Sequence, residues 1–76
     1  MPTIAQINSI KVYMYFDDHA PPHFHAIYNE YEIQIEIKTL KTLHGSLPKK
    51  QYQSVIDWAE KSQDYLNFKW KEFNKQ

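Results

Sequence analysis

Hydrophobic and polar positions alternate along two stretches of the chain. Ile10, Val12, Met14 and Phe16 alternate with Lys11, Tyr13, Tyr15 and Asp17, and Tyr31, Ile33, Ile35 and Ile37 alternate with Glu32, Gln34, Glu36 and Lys38. A period of two marks a strand with one buried face, because successive side chains point to opposite sides of a sheet. The pattern predicts strands over about residues 8–17, 23–29 and 31–38, with a short fourth near 42–44 ending at Gly45, the only glycine.

Only Asn29-Glu30 separates the second predicted strand from the third. Asparagine tolerates the positive φ that a two-residue hairpin turn requires. Counting back from this turn pairs Tyr28 with Tyr31, Ile27 with Glu32, Ala26 with Ile33, His25 with Gln34, Phe24 with Ile35 and His23 with Glu36. Phe24, Ala26, Ile33 and Ile35 then share one face, and His23, His25, Gln34 and Glu36 the other. A slip of one residue would destroy this agreement. An antiparallel first strand would add Tyr13, Tyr15 and Asp17 to the histidine face.

The period changes after Gly45. Ser46 is a candidate N-cap, with Pro48 in the first helical turn. Tyr52, Val55, Ile56 and Ala59 follow at the spacing of an amphipathic helix, and Leu66, Trp70 and Phe73 continue a helical pattern. The polar Ser62-Gln63-Asp64 divides this region into helices of about 47–61 and 63–74. The expected fold is α+β: residues 1–76 form a single domain, a three- to four-stranded antiparallel meander with two C-terminal helices packed on one face. Phe24, Ala26, Ile33, Ile35, Val12 and Met14 should be buried under Val55, Ile56 and Leu66, leaving the histidine face uncovered.

Composition narrows the function classes. The 76 residues contain no cysteine, which excludes disulfides and thiolate metal sites, so any metal must be held by histidine and carboxylate. Nine basic and nine acidic side chains cancel, removing the bulk electrostatic case for nucleic-acid binding. The start lacks both a basic segment and a long apolar run, and no stretch is apolar enough to span a bilayer. The expectation is a soluble cytoplasmic protein without a membrane segment. A domain this small gains stability from a partner or from its own copy, so a homo-oligomer is also considered.

The chemistry concentrates in Asp17-Asp18-His19-Ala20-Pro21-Pro22-His23-Phe24-His25, which holds three of the four histidines. Prolines restrict the backbone just before His23 and stiffen the segment. Acid–base chemistry is one reading: His23 and His25 transfer protons, Glu36 orients His23 from the opposite strand, and the target is a phosphodiester. Tyr15, Ser46, Lys49 and Lys50 would then contact substrate, the last three at a helix N-terminus suited to phosphate. A divalent transition metal held by His19, His23 and His25, with Asp17 or Asp18, is the second reading. The third is a non-catalytic interaction surface built from Tyr13, Tyr15, His23, His25 and Gln34.

Several motifs together resemble the small bacterial family called domain of unknown function 4160. They are Met1-Pro2-Thr3-Ile4, Met14-Tyr15-Phe16, the run Asp18-His19-Ala20-Pro21-Pro22-His23-Phe24-His25, Gly45-Ser46-Leu47-Pro48 and Trp58-Ala59-Glu60. Asn8-Ser9 and Asn29 stand where glycine is usual, and both keep turn-compatible types. Members are often encoded beside a small protein of the domain of unknown function 2442 type, in pairs read as toxin–antitoxin modules. The resemblance therefore implies a toxin-like component with that neighbouring-gene protein as partner and RNA as the first substrate to try. It draws attention to His19, His23, His25, Ser46-Leu47-Pro48, Lys49 and Lys50.

Overall fold

The computed structural model describes residues 3–74, so Met1-Pro2 and Lys75-Gln76 lie outside the described residues. Five strands, β1 (Thr3–Ile7), β2 (Ile10–Tyr13), β3 (His23–Tyr28), β4 (Tyr31–Glu36) and β5 (Thr42–Gly45), precede helices α1 (Lys49–Lys61) and α2 (Gln63–Phe73). The strands form one antiparallel meander in the order β1-β2-β3-β4-β5. The α+β architecture is the expected one, with one strand more.

The additional strand is β1. Asn8, at φ 54°, turns the chain back so that Ile7 pairs with Ile10, and the expected strand over 8–17 becomes a turn followed by β2. A register shift between Thr3 and Ala5 breaks the alternation there. The bulge inserts an extra residue, which hides the period of two from the sequence pattern. At its other end β2 stops at Tyr13, although Met14 continues inward and is fully buried.

Register between β3 and β4 is as counted, from His23↔Glu36 to Tyr28↔Tyr31, and Asn29 adopts φ 53° in the turn. Phe24, Ala26, Ile33, Ile35, Val12 and Met14 are buried with Val55, Ala59 and Leu66, while Ile56 packs at the margin. Ser62 alone separates the helices, its backbone N–H bonding to Ala59 O and its carbonyl receiving Leu66 N–H. No helix among the described residues is long and apolar enough to cross a membrane.

Two expectations at the start of α1 are corrected. The N-cap is Pro48 rather than Ser46, no side chain caps the helix, and its first residue is Lys49. Ser46 is held elsewhere, its backbone N–H donating to Glu32 O at 3.1 Å. That bond follows from Gly45, whose φ of 79° brings its backbone against Glu32.

Ile35→Ala should cost about 2–5 kcal/mol, as expected for a truncated core side chain. Gly45→Ala should cost more than the about 1–2 kcal/mol of left-handed backbone strain, because the new methyl would meet the Glu32 carbonyl. Urea denaturation checks both; unchanged midpoints would contradict the packing described.

Candidate metal centre

β3 carries His23 and His25 on the sheet face opposite Phe24 and Ala26, as strand alternation requires. That face is not open. His23 is 1% exposed and His25 4%, which corrects the expectation of an uncovered histidine surface. The segment between β2 and β3 folds over them. Asp17 donates its backbone N–H to Phe73 O at 3.1 Å, and Pro22 O accepts from Ile37 N–H at 3.1 Å, so this segment is tied to α2 at one end and to the sheet at the other.

Aromatic rings complete the walls. Tyr13, directly across from His25 in β2, stacks on it at 4.9 Å with 13° between the planes. Tyr15 meets the same imidazole edge-on at 4.8 Å. Trp70 of α2 lies 5.3 Å from the His23 ring.

Asp18 binds the group together. Its Oδ2 lies 3.0 Å from His23 Nε2 and 3.6 Å from His25 Nε2. Its Oδ1 accepts the His19 backbone N–H at 2.9 Å and lies 3.0 Å from His19 Nδ1. Asp18, His23 and His25 each offer one ligand atom, all within 4.8 Å of one another.

Each outer nitrogen faces an oxygen, that of His23 at hydrogen-bond distance and that of His25 without a hydrogen bond. His23 Nδ1 is 2.7 Å from Pro21 O. A carbonyl only accepts, so this nitrogen carries the proton, and in a neutral ring Nε2 presents a lone pair. That lone pair faces a carboxylate oxygen at 3.0 Å, and a proton or a cation must lie between them. His25 Nδ1 lies 3.5 Å from Glu32 Oε2, which accepts the Tyr13 hydroxyl. Neither ring nitrogen of buried His25 has a hydrogen-bond partner.

The protonation preferences follow from these surroundings. Burial, reinforced by the nearby His23, holds His25 below the ordinary 6.5 despite the Asp18 carboxylate. Burial alone would raise Asp18, but the His19 backbone N–H and the surrounding imidazoles outweigh it and lower its carboxyl below 3.8. Tyr13 is pushed well above the usual 10 by burial and by its bond to Glu32, so it stays a donor.

Not all the expected site residues meet here. His23, His25 and Tyr15 do. Glu36 is opposite His23 in register, yet its carboxylate accepts the Thr39 hydroxyl at 2.9 Å. The His19 side chain is 82% exposed, its ring 5.5 Å from that of His23 and its Nδ1 3.0 Å from Asp18 Oδ1; the three ligand atoms that lie together belong to Asp18, His23 and His25, so Asp18 takes its place in the ligand group. Lys50 lines a hollow with Asn8, Ser9, Ile10 and Tyr28, at the far end of β3 from His23. Five residue-to-residue steps of strand separate those ends, about 17 Å. Lys49, its neighbour at the start of α1, is exposed, and Ser46 is bonded to Glu32, so no phosphate cradle joins the histidines.

Glu32 and Trp70 were not anticipated as neighbours of the cluster. Glu32 had a legible signal: it shares a face with Gln34 and so lies diagonal to His25 across the hairpin. Trp70 had none, since helix packing brings it there.

A small α+β domain with an Asp–His–His cluster whose two imidazoles are buried is the class that fold and site define. Residues 9–71 match the family described as Domain of unknown function (DUF4160), and the chain belongs to that family. Comparisons with curated proteins and with solved structures find no match.

Metal-free protein should lose stability in acid, His25 acting before Asp18. Folded His25 binds its proton more weakly than the unfolded side chain, so its contribution is complete above 6.5 and declines as the pH falls toward the folded value. Asp18 contributes fully above 3.8 and is lost as the pH drops through its depressed folded value. Melting temperatures between pH 7.5 and 3, with chelator present, check this, and His25→Phe should flatten the first part of the decline. A melting temperature that rises on acidification from 7.5 to 5 would contradict it.

Proposed function

We propose that this protein is a small metal-binding module whose centre is a divalent transition metal of the zinc class held by Asp18, His23 and His25. The observation that carries the reading is the approach of His23 Nε2 to Asp18 Oδ2 at 3.0 Å while His23 Nδ1 is committed to Pro21 O. Ligands about 2.0–2.1 Å from a tetrahedral ion lie roughly 3.3 Å apart, and the two nitrogen–oxygen separations of 3.0 and 3.6 Å bracket that value. Ligating imidazoles commonly donate the other ring N–H to a carbonyl or carboxylate. Pro21 O occupies that position for His23, and Glu32 Oε2 lies 3.5 Å from His25 Nδ1.

The geometry favours this reading over proton transfer by two free imidazoles. A general base needs its lone pair directed at the substrate. Here both Nε2 atoms are buried and face Asp18. The resemblance to proteins encoded in toxin–antitoxin-like pairs supports a further part of the proposal: the module acts in the bacterial cytoplasm beside a neighbouring-gene protein of the domain of unknown function 2442 type.

Untagged protein should take up one equivalent of zinc by calorimetry and mass spectrometry. Asp18→Ala and His23→Ala should weaken uptake beyond the about 10–100-fold typical of losing an outer-shell partner. His44→Ala, on exposed β5, should leave it unchanged. Circular dichroism verifies that each variant is folded. Absence of stoichiometric uptake by folded wild type would reduce the cluster to an ion pair that fastens the loop.

A further inference from the structure

His19 is the exposed member of a group of three histidines. Its side chain is 82% exposed, against 2% for His23 and 5% for His25. Its ring nevertheless stays at the cluster, 5.5 Å from the His23 ring between centroids, with Nδ1 3.0 Å from Asp18 Oδ1. That oxygen belongs to the carboxylate whose other oxygen, Oδ2, faces both buried Nε2 atoms. Two oxygens on one carbon, each about 1.23 Å from it, are at most about 2.5 Å apart. His19 Nδ1 is therefore within about 5.5 Å of Oδ2, and ligands of one tetrahedral ion stand roughly 3.3 Å apart. The difference is within reach of rotation about the two side-chain torsions of histidine.

Little holds the ring where it is. An exposed pair of this kind is weak, because water screens it. Asp18 Oδ1 also accepts the His19 backbone N–H at 2.9 Å, so that oxygen keeps a donor when the ring leaves. His23 and His25 are buried and have no comparable freedom. Among the described residues the other side chain paired with the ligand group is Glu32, which lies against Nδ1 of His25 and takes the Tyr13 hydroxyl. His19 is thus the side chain placed to add a donor on the side of Asp18.

Building on the metal reading above, we propose that His19 closes the site as a fourth ligand, turning from Asp18 Oδ1 onto the ion held by Asp18, His23 and His25. Structural zinc-class sites take all four ligands from the chain, whereas catalytic ones keep a position for water or substrate. With His19 bound, the ion has no such position left, and its role is mechanical. The segment between β2 and β3 is already tied at Asp17 to Phe73 O and at Pro22 to Ile37 N–H, and His19 lies between these anchors. Loading draws the exposed middle of the segment onto the sheet, so the surface around His19 differs between the free and the loaded protein.

Chemical labelling reads this movement. Diethyl pyrocarbonate acylates accessible imidazoles, and fragment mass spectrometry assigns the label to individual histidines. Folded protein with chelator should be labelled at His19 and at His44 of exposed β5, with His23 and His25 spared by burial. One equivalent of zinc should protect His19 and leave His44 reactive. Cobalt(II) reads ligation itself, since its absorption bands respond to coordination number and ligand identity. His19→Ala retains the backbone N–H to Asp18 and should stay folded by circular dichroism. Its cobalt spectrum should shift as water replaces a nitrogen, and added imidazole should restore it. Zinc binding should weaken by more than the about 10–100-fold that an orienting partner typically contributes. Equal labelling of His19 in zinc-loaded and chelated protein, or a His19→Ala cobalt spectrum identical to that of wild type, would overturn the inference and leave the three-ligand reading standing. Failure of folded wild type to bind zinc or cobalt would overturn both.

Discussion

The two-residue turn at Asn29-Glu30 sets the register of β3 against β4, and the two faces of the molecule are decided there. With Tyr28 opposite Tyr31, period-two alternation sends Phe24, Ala26, Ile33 and Ile35 toward the helices. The same count sends His23, His25 and Glu32 to the opposite face, where Tyr13 joins them from β2. A slip of one residue would put imidazoles and carboxylates into the apolar layer, where each unpaired polar group costs several kcal/mol, about 2–7 by transfer measurements. Core and site therefore enforce one another: the apolar layer fixes which side chains can converge as ligands.

Convergence also needs the segment between β2 and β3, which is fastened to both layers. Asp17 bonds to the last turn of α2 and Pro22 to the residue following β4. Between those anchors Asp18 reaches both buried Nε2 atoms. A domain of 76 residues has a total stability on the order of 4–11 kcal/mol. An unsatisfied buried polar group costs about 1–3 kcal/mol of that. The two unpartnered nitrogens of His25 are thus a substantial strain on so small a fold. A cation between the imidazoles and the carboxylate would satisfy the Nε2 of His25, which is the physical reason to regard the cluster as a binding site rather than as packing.

Much of this was legible in the sequence where local pattern and tertiary role agree. The hairpin register, the Ile-rich core and the break at Ser62 all follow from periodicity and turn chemistry, because each is determined within a few residues. β1 escaped because its bulge removes the alternation by which a strand is read. Burial of His23 and His25 escaped for a different reason. Strand alternation tells which face a side chain points to, but not whether a loop folds back over that face, and here the cover depends on bonds to Phe73 and Ile37 far along the chain. Glu36 was the expected partner of His23 because it is opposite in register. The nearer carboxylate came from the loop instead, and the turn after β4 drew Glu36 to Thr39.

The distinction between a histidine acid–base pair and a metal centre reduces to what lies between Nε2 and Oδ2. A proton there gives an imidazolium–carboxylate pair, which fastens the loop but has no free lone pair to offer. A metal ion there uses the same three atoms and retains a coordination position beyond them. The fixed state of the outer nitrogens bears on this choice: Pro21 O accepts from His23, and Glu32 is held as an acceptor by Tyr13, whose own proton is kept by burial. His23 is therefore arranged to carry its proton on Nδ1 and present Nε2 to the carboxylate, while both nitrogens of His25 stand without a hydrogen-bond partner. A lone pair on His23 Nε2 and a carboxylate oxygen 3.0 Å away repel one another, so their approach requires positive charge between them. Because Trp70 backs one ring and the loop is tied to Phe73, that charge would brace the last turns of α2 as well as the sheet.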